Sequence, residues 1–237
     1  MKKFLYLISA VLLISCAAGK NSNQENGEVL YARAMNNFKL NRIKSAIEDF
    51  EELETTYDFE KYHEAMVMVA YAHYSTGNYD DSLLKIDSIR RFNMGTENLQ
   101  YVYYLEILAK YKKIDQSKRD LTLLKELFYN INDMLALFPG SIYENDIIEK
   151  ERAVLNYIVE SELNIVAFYL DNNNLIGALN HLREVIDNYP ENIHSPQVSY
   201  LMYEIYSHIG YPEGRDLYLR LLHERYKNSK WFEKINS

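Results

Sequence analysis

The sequence predicts an all-α protein built from about five helix-turn-helix repeats. Three observations support this prediction. The counts of 8 Gly and 4 Pro in 237 residues are low, and no region alternates apolar and polar residues as a series of strands would. Finally, one pattern of small and apolar residues recurs five times along the chain. A leader of different composition precedes the repeats.

The leader has the layout of a secretory signal peptide. Two lysines are followed by an apolar run and then by small Ser15, and the run is shorter than the roughly 20 apolar residues that a membrane span needs. The stretch LISC, which ends at Cys16, is similar to the lipobox of bacterial lipoproteins, in which the cysteine becomes the acylated first residue. We therefore expect a lipoprotein signal peptide over residues 1–15 and a lipid anchor at Cys16; an export signal with an incidental cysteine is the alternative.

The cysteine count and the net charge limit the disulfides and the partners that the mature chain can have. Cys16 is the only cysteine, so no disulfide can form within the mature protein. Residues 1–15 contain two lysines and no acids, so their removal changes the formal charge from −8 to −10. This negative charge argues against nucleic acid as a partner and against anionic lipid except through the anchor.

Lipoproteins kept in the inner membrane often have Asp after the cysteine. Ala17 stands there instead and favours the outer membrane, facing the periplasm. Polar residues 16–28 predict a lipidated flexible tether.

From Glu28 onward the chain repeats itself. The copies start at Leu40, Thr76, Leu121, Asn172 and His208, which are 36, 45, 51 and 36 residues apart. Within each copy, three positions spaced i, i+4 and i+7 lie on one face of a predicted helix, and we interpret them as packing positions. The first position is small in four copies, which indicates where a neighbouring helix comes close. The three columns are Ala46, Ser82, Leu127, Ala178, Gly214; Phe50, Ile86, Ile131, Leu182, Tyr218; and Leu53, Ile89, Met134, Val185, Leu221.

Each copy is preceded by a partner helix, so the unit is a helix pair that resembles the tetratricopeptide repeat. Pro139 and Pro190 end their repeats, because proline has no N–H with which to continue a helix. The extra residues of the third repeat are predicted as a loop over Tyr111–Asp120. Those before the fourth repeat predict one long helix, "ENDIIEKERAVLNYIVESELNIVAFYL".

The whole chain resembles the BamD family, lipoproteins of the machinery that folds β-barrel proteins into the bacterial outer membrane. The resemblance rests on the lipobox, the five repeats, "NLQYVYYLEILAKY", the Arg119-Asp120 pair, "LFPGSIY" and the long helix running into "LNHLREVIDNYP". It implies a superhelical solenoid with an N-terminal half over residues 29–115 and a C-terminal half over residues 116–237. It also implies a groove for unfolded outer-membrane proteins, and binding of a BamA-like barrel protein and accessory Bam lipoproteins by the C-terminal half.

The resemblance and the tyrosine content lead to candidate site residues. The 22 tyrosines suit a surface that binds extended apolar and aromatic peptides. Residues of the first helices that face away from the partner helix are the groove candidates, with amphipathic packing as the alternative for each tyrosine. Where relatives often have an arginine that contacts BamA, this chain has His181, which is the candidate for the BamA interface. Histidine is mostly uncharged near neutral pH and cannot pair bidentately as arginine does. The groove candidates are Tyr31, Met35, Tyr71, Tyr74, Tyr103 and Glu106.

The sequence contains no motif of a known catalytic class. The phosphate-binding, dinucleotide-binding, H-E-x-x-H and G-x-S-x-G patterns are missing, and the six histidines lack metal-ligand spacing. We therefore expect no catalytic activity, no metal, and no cofactor other than the covalent lipid on Cys16. Two functions follow: a scaffold in outer-membrane β-barrel assembly, or a repeat lipoprotein that is an adaptor for peptidoglycan synthesis or remodelling enzymes.

Overall fold

The computed structural model describes residues 27–53, 61–91, 99–116 and 120–235. The predicted signal peptide, Cys16 and the predicted tether up to residue 26 lie outside the described residues. Gly27 and Glu28, predicted as the end of the tether, already belong to the first helix.

Every regular element in the described residues is helical, which confirms the all-α prediction. Eleven α-helices are described, and a single 3-10 turn, Pro190–Asn192, follows the eighth. The helices are α1 (Gly27–Lys39), α2 (Ile43–Leu53), α3 (Tyr62–Ser75), α4 (Tyr79–Arg91), α5 (Leu99–Gln116), α6 (Leu121–Leu137), α7 (Glu144–Asp171), α8 (Leu175–Asn188), α9 (Pro196–Ile209), α10 (Pro212–Arg225) and α11 (Lys230–Ile235).

The chain forms two compact units, which are described separately. Unit 1 ends at Asn78 and contains α1, α2 and α3; unit 2 begins at Tyr79 and contains the other helices. In unit 1, α2 packs against both α1 and α3. Asn41 closes the α1–α2 turn at a φ of 57°, a left-handed conformation that asparagine adopts more readily than most residues. The predicted division into halves at residue 116 stays a prediction.

In unit 2, consecutive helices pack against each other from α4 to α11, as stacked helix pairs do. Two hydrophobic cores result. The α5–α7 core contains Ile107, Ile114, Leu124, Leu127, Ile131, Met134, Ile147, Val154 and Ile158. The α7–α9 core contains Val159, Leu163, Val166, Leu170, Ala178, Leu182, Val185, Val198, Leu201 and Ile205.

The predicted packing columns are confirmed in the first four copies, whose twelve residues are all buried. In the last copy, Gly214 is buried, but Tyr218 is only half-buried and Leu222 is buried in place of Leu221. The short helix α11 packs on α9 and α10 at the position that the next helix pair would occupy. The neighbours of α10 therefore differ from those of the second helices in the earlier copies. At Gly214, a Cβ atom would lie 2.9 Å from the Tyr206 ring of the neighbouring helix α9, so the close approach predicted for this column is present.

Local capping residues explain several helix boundaries. The Asp120 side chain accepts hydrogen bonds from the backbone N–H groups of Thr122 and Leu123 and starts α6. Ser195 accepts from the Val198 N–H at the start of α9, whose first residue is Pro196. The predicted loop over Tyr111–Asp120 is wrong in its first half, because α5 continues to Gln116. Ile114, seven residues after buried Ile107, extends the buried stripe of that helix.

The predicted long helix before the fourth repeat is confirmed as α7, with 28 residues. By length and composition, its most apolar 18-residue stretch could also cross a membrane. However, α7 packs against α6, α8 and α9 and contributes buried residues to both cores of unit 2. We therefore interpret α7 as a core helix.

Candidate functional site

An aromatic surface lies on the first helices of the first two repeats in unit 1. The Tyr71 ring on α3 is 5.7 Å from the Phe38 ring on α1 and 6.4 Å from the Tyr74 ring, measured between centroids. All three side chains are half-buried. The structure thus brings two of the groove candidates together with Phe38, which was not among them. Its equivalence to Tyr74, four residues after the buried alanines Ala34 and Ala70, was the signal that could have identified it.

Tyr31 and Met35 occupy successive turns of α1 and differ in exposure. Tyr31 is buried: its ring packs edge-on against Phe50 of the partner helix α2 at 6.2 Å, and its hydroxyl donates a 2.7 Å hydrogen bond to Glu64. Burial, followed by the bond to Glu64 and its negative charge, raises the pKa of Tyr31. Met35 is half-buried. Tyr31 was chosen as a residue facing away from the partner helix, and the structure places it against that helix instead.

Tyr103 and Glu106, the two groove candidates on α5, also face neighbouring helices. The Tyr103 ring packs 5.4 Å from Phe138, just beyond the end of α6, and the Arg90 guanidinium lies 4.2 Å from the centre of the same ring. Glu106 is buried and accepts a 2.5 Å hydrogen bond from the Arg90 guanidinium on α4. Its other carboxylate oxygen lies 2.9 Å from the Lys110 ammonium. Both residues were chosen as facing away from the partner helix. Instead they join α4, α5 and α6, and a groove role for them stays a prediction.

The charges around Glu106 form a connected network. Besides Glu106, the Lys110 ammonium donates to Glu126 at 2.7 Å and to Asn130 at 2.8 Å, both on α6. Burial alone would lower the pKa of Lys110, but its bonds to the two carboxylates outweigh burial and raise it. Burial would also lower the pKa of Arg90, but the charge of Glu106 and the contact with Tyr103 outweigh burial and raise it. The ionised form of each group is therefore stabilised, and the network is a fixed, charge-paired feature of these helices.

His181 on α8 belongs to a second charged cluster. Its Nε2 atom lies 2.9 Å from Oε2 of Glu162 on α7, whose side chain is only 9% exposed. Oε1 of Glu162 is 2.6 Å from the ammonium of Lys125 on α6. That hydrogen bond is the main reason why the pKa of Lys125 is raised. His181 is thus held by a buried carboxylate within its own chain, a contact that sequence reasoning did not identify.

Two of the segments that carried the resemblance meet in the structure. Tyr104 of "NLQYVYYLEILAKY" stacks on Tyr143 of "LFPGSIY", with ring centroids 4.1 Å apart and planes 10° from parallel. The Tyr104 hydroxyl also donates to Asp146. Burial raises the pKa of Asp146, but hydrogen bonds from Lys150 and Tyr104 outweigh it and lower the pKa below its usual value. This contact positions the start of α7 against α5.

The geometry of these clusters indicates contact surfaces. Within the described ranges, no group of three or more His, Cys, Asp or Glu residues could hold a metal ion. Among the described residues, the charged groups around Glu106 and Glu162 are paired within the chain, and the rings of Phe38, Tyr71 and Tyr74 are half-buried. Aromatic residues are enriched at protein–protein interfaces.

Comparisons with known proteins show which family the chain matches. The model of the YfiO family, described as outer membrane lipoprotein, matches residues 23–221. The outer membrane protein assembly factor BamD of Rickettsia prowazekii is 28% identical over 97% of this chain and 95% of its own length. BamD of Xylella fastidiosa is 27% identical over 87% of this chain and 75% of its own length. Among solved structures, the TPR domain of P58(IPK) matches 88% of this chain and 54% of that chain, at 15% identity and a TM-score of 0.34.

Proposed function

We propose that this chain, which belongs to the YfiO family of outer membrane lipoproteins, is a non-catalytic scaffold of the machinery that folds and inserts β-barrel proteins into the bacterial outer membrane. The observation that carries the proposal is similarity over nearly the full length to a relative named as outer membrane protein assembly factor BamD. Similarity of this extent includes the repeats and the segments between them, which a shared repeat fold alone does not explain.

The architecture of each unit supports a scaffold function. Stacked helix pairs expose many side chains along neighbouring helices and suit binding of extended partners. In unit 1, the surface of Phe38, Tyr71 and Tyr74 offers half-buried aromatic rings at which apolar and aromatic segments of an unfolded outer-membrane protein would bind. We propose a BamA-like barrel protein and accessory Bam lipoproteins as the other partners, with His181 near the BamA contact.

The proposed anchor is a lipid on Cys16, which would hold the chain on the periplasmic face of the outer membrane. A single acyl chain binds membranes only marginally, whereas the several chains of a bacterial lipoprotein bind stably. We expect Cys16→Ala to remain folded and to leave the membrane fraction, while Ser22→Ala in the predicted tether stays there. Retention of Cys16→Ala on membranes at high salt would contradict the anchor.

The function itself is tested by mild-detergent purification of the full-length lipoprotein from its own cells. Recovery of a stoichiometric outer-membrane barrel protein with periplasmic repeats is the expected result. Recovery of peptidoglycan synthases or hydrolases in its place would overturn the assembly function and favour the adaptor alternative. A Tyr71→Ala, Tyr74→Ala double variant should keep the barrel protein but bind unfolded outer-membrane proteins less well, with exposed Tyr129→Ala as the matched control.

A further inference from the structure

An open cleft of about 370 Å³ lies in unit 2, between the second helices of two successive repeats. Its walls are α4 and α6, and its floor is α5. The lining residues are Leu83, Ile86, Asp87, Arg90, Glu106, Lys110, Glu126 and Asn130. This volume is at the lower end of the range for ligand sites in proteins, about 300–1,000 Å³. The aromatic surface described above is in unit 1, so this cleft is a separate site.

One end of the cleft widens into an open pocket with the size of a single side chain. The pocket, of about 140 Å³, shares Leu83, Lys110 and Glu126 with the cleft, and Ile114, Leu123 and Lys113 complete its lining. Leu83, Ile114 and Leu123 form its apolar end. An engineered apolar cavity of about 150 Å³ takes up benzene, so this end can accommodate one leucine-sized or ring-sized group.

The charged groups on the floor of the cleft are already paired. Glu106 on the floor bonds to Arg90 and Lys110, and Lys110 bonds further to Glu126 and Asn130. A ligand anion would compete with the carboxylates already bonded to Arg90 and Lys110. The floor therefore disfavours an acidic ligand.

The mouth of the cleft is acidic. One oxygen of the Glu126 carboxylate on α6 accepts a hydrogen bond from Lys110, and the Glu126 side chain is 52% exposed. Asp87 on the opposite wall is exposed and pairs with Arg91 on its own helix, a surface pair of small energy. The two acids on opposite walls, in a chain of net charge −8, attract a basic group.

We propose that this cleft binds a segment of another polypeptide that inserts an apolar side chain at the Leu83 end and places a lysine or arginine against Glu126. The proposal goes beyond the assembly function and does not depend on it, because it concerns the purified chain alone. A basic and apolar segment fits the apolar Leu83 end and the half-exposed Glu126 carboxylate, and it leaves the paired groups of the floor intact.

The test measures binding of labelled hexapeptides to the purified full-length lipoprotein by fluorescence anisotropy, up to about 1 mM peptide. The first probe carries Leu and Lys two positions apart in a Gly background. A Ser–Lys probe should bind about tenfold more weakly, because the buried apolar group is lost. A Leu–Glu probe should also bind more weakly, because its carboxylate meets Glu126. N-acetyl-lysine amide tests the cation alone and should bind more weakly than the Leu–Lys probe.

Two variants place the binding in the cleft. Leu83→Trp fills the apolar end and should abolish binding, whereas Leu84→Trp, on the same helix but 65% exposed and outside the lining, should not. Glu126→Gln should weaken the Leu–Lys probe about two- to five-fold, the range expected of a partly exposed ion pair. Asp133→Asn, on the same helix outside the lining, is its control.

The proposal is overturned if the Leu–Lys probe does not bind, or if Leu–Lys and Leu–Glu bind alike. Equal binding of N-acetyl-lysine amide would identify a site for small cations instead of polypeptide. Equal effects of Leu83→Trp and Leu84→Trp would place the binding elsewhere. Far-UV circular dichroism checks that each variant folds. If Leu83→Trp does not fold, the effect of Glu126→Gln on peptide binding decides the test in its place. Failure of the assembly function would be seen in the purification experiment and leaves these peptide results unaffected.

Discussion

Glu162→Gln tests whether the cluster around His181 stabilises unit 2. The substitution keeps the shape of the side chain and removes its charge. The Lys125 side chain is 51% exposed, so water replaces most of its lost bond, at a cost of about 0.2–1 kcal/mol. The His181 side chain is only 22% exposed, and a charged hydrogen bond there becomes a neutral one, at a cost of about 1 kcal/mol. The free energy of unfolding should therefore fall by about 1–2 kcal/mol.

Urea unfolding followed by far-UV circular dichroism measures this loss. Glu160→Gln, exposed on the same helix, is the control and should change stability by less than about 0.5 kcal/mol. A double-mutant cycle with His181→Gln should give a coupling energy of at least about 0.5 kcal/mol, because the two side chains are in contact. Wild-type stability in Glu162→Gln, or additive effects in the cycle, would refute the conclusion that Glu162 holds His181.

Two further predictions concern packing and pH. Gly214→Ala should lower the free energy of unfolding, because overpacking against two tyrosine rings costs about 1–3 kcal/mol and outweighs the gain in helix propensity of up to about 1 kcal/mol. Asp216→Ala, at an exposed position of the same helix, is the control. Unchanged stability of Gly214→Ala would contradict the close approach. The raised pKa of Tyr31 means that its stabilising effect is complete below the unfolded pKa of about 10 and is lost as pH rises above it. Tyr31→Phe, which also lacks the bond to Glu64, should therefore lose less stability than wild type in this alkaline range. An unchanged slope in Tyr31→Phe, or a changed slope in exposed Tyr129→Phe, would show that Tyr31 is not the responsible group.

The helices and their buried faces could be predicted from the sequence because both depend on local spacing. Ala178, Leu182 and Val185 lie on one face at i, i+4 and i+7, and all three are buried. The long α7 was predictable for the same reason. Spacing of this kind failed in α10, where the terminal helix α11 changes the neighbours and Leu222 is buried in place of Leu221.

The site residues were harder to predict because a stacked helix has neighbours on more than one side. Facing away from the partner helix was taken as facing the groove, but α5 lies between α4 and α6, and Glu106 on it bonds across to Arg90. The contact of Glu162 with Lys125 and His181 joins three helices. It depends on the rotation of each helix about its axis, which spacing along one helix does not reveal.

The long helix α7 has a consequence for how unit 2 unfolds. Its residues up to Ile158 supply Ile147, Val154 and Ile158 to one core, and its later residues supply Val159 and Leu163 to the other. In most repeat proteins each repeat can fray separately, since only interfaces with neighbours connect them. Here a continuous rod of about 42 Å, at 1.5 Å per residue, belongs to both cores. Amide protons in the helices on both sides of α7 should therefore exchange with solvent in one cooperative opening. The segment from α5 to α9 should also resist bending, because α7 connects both cores.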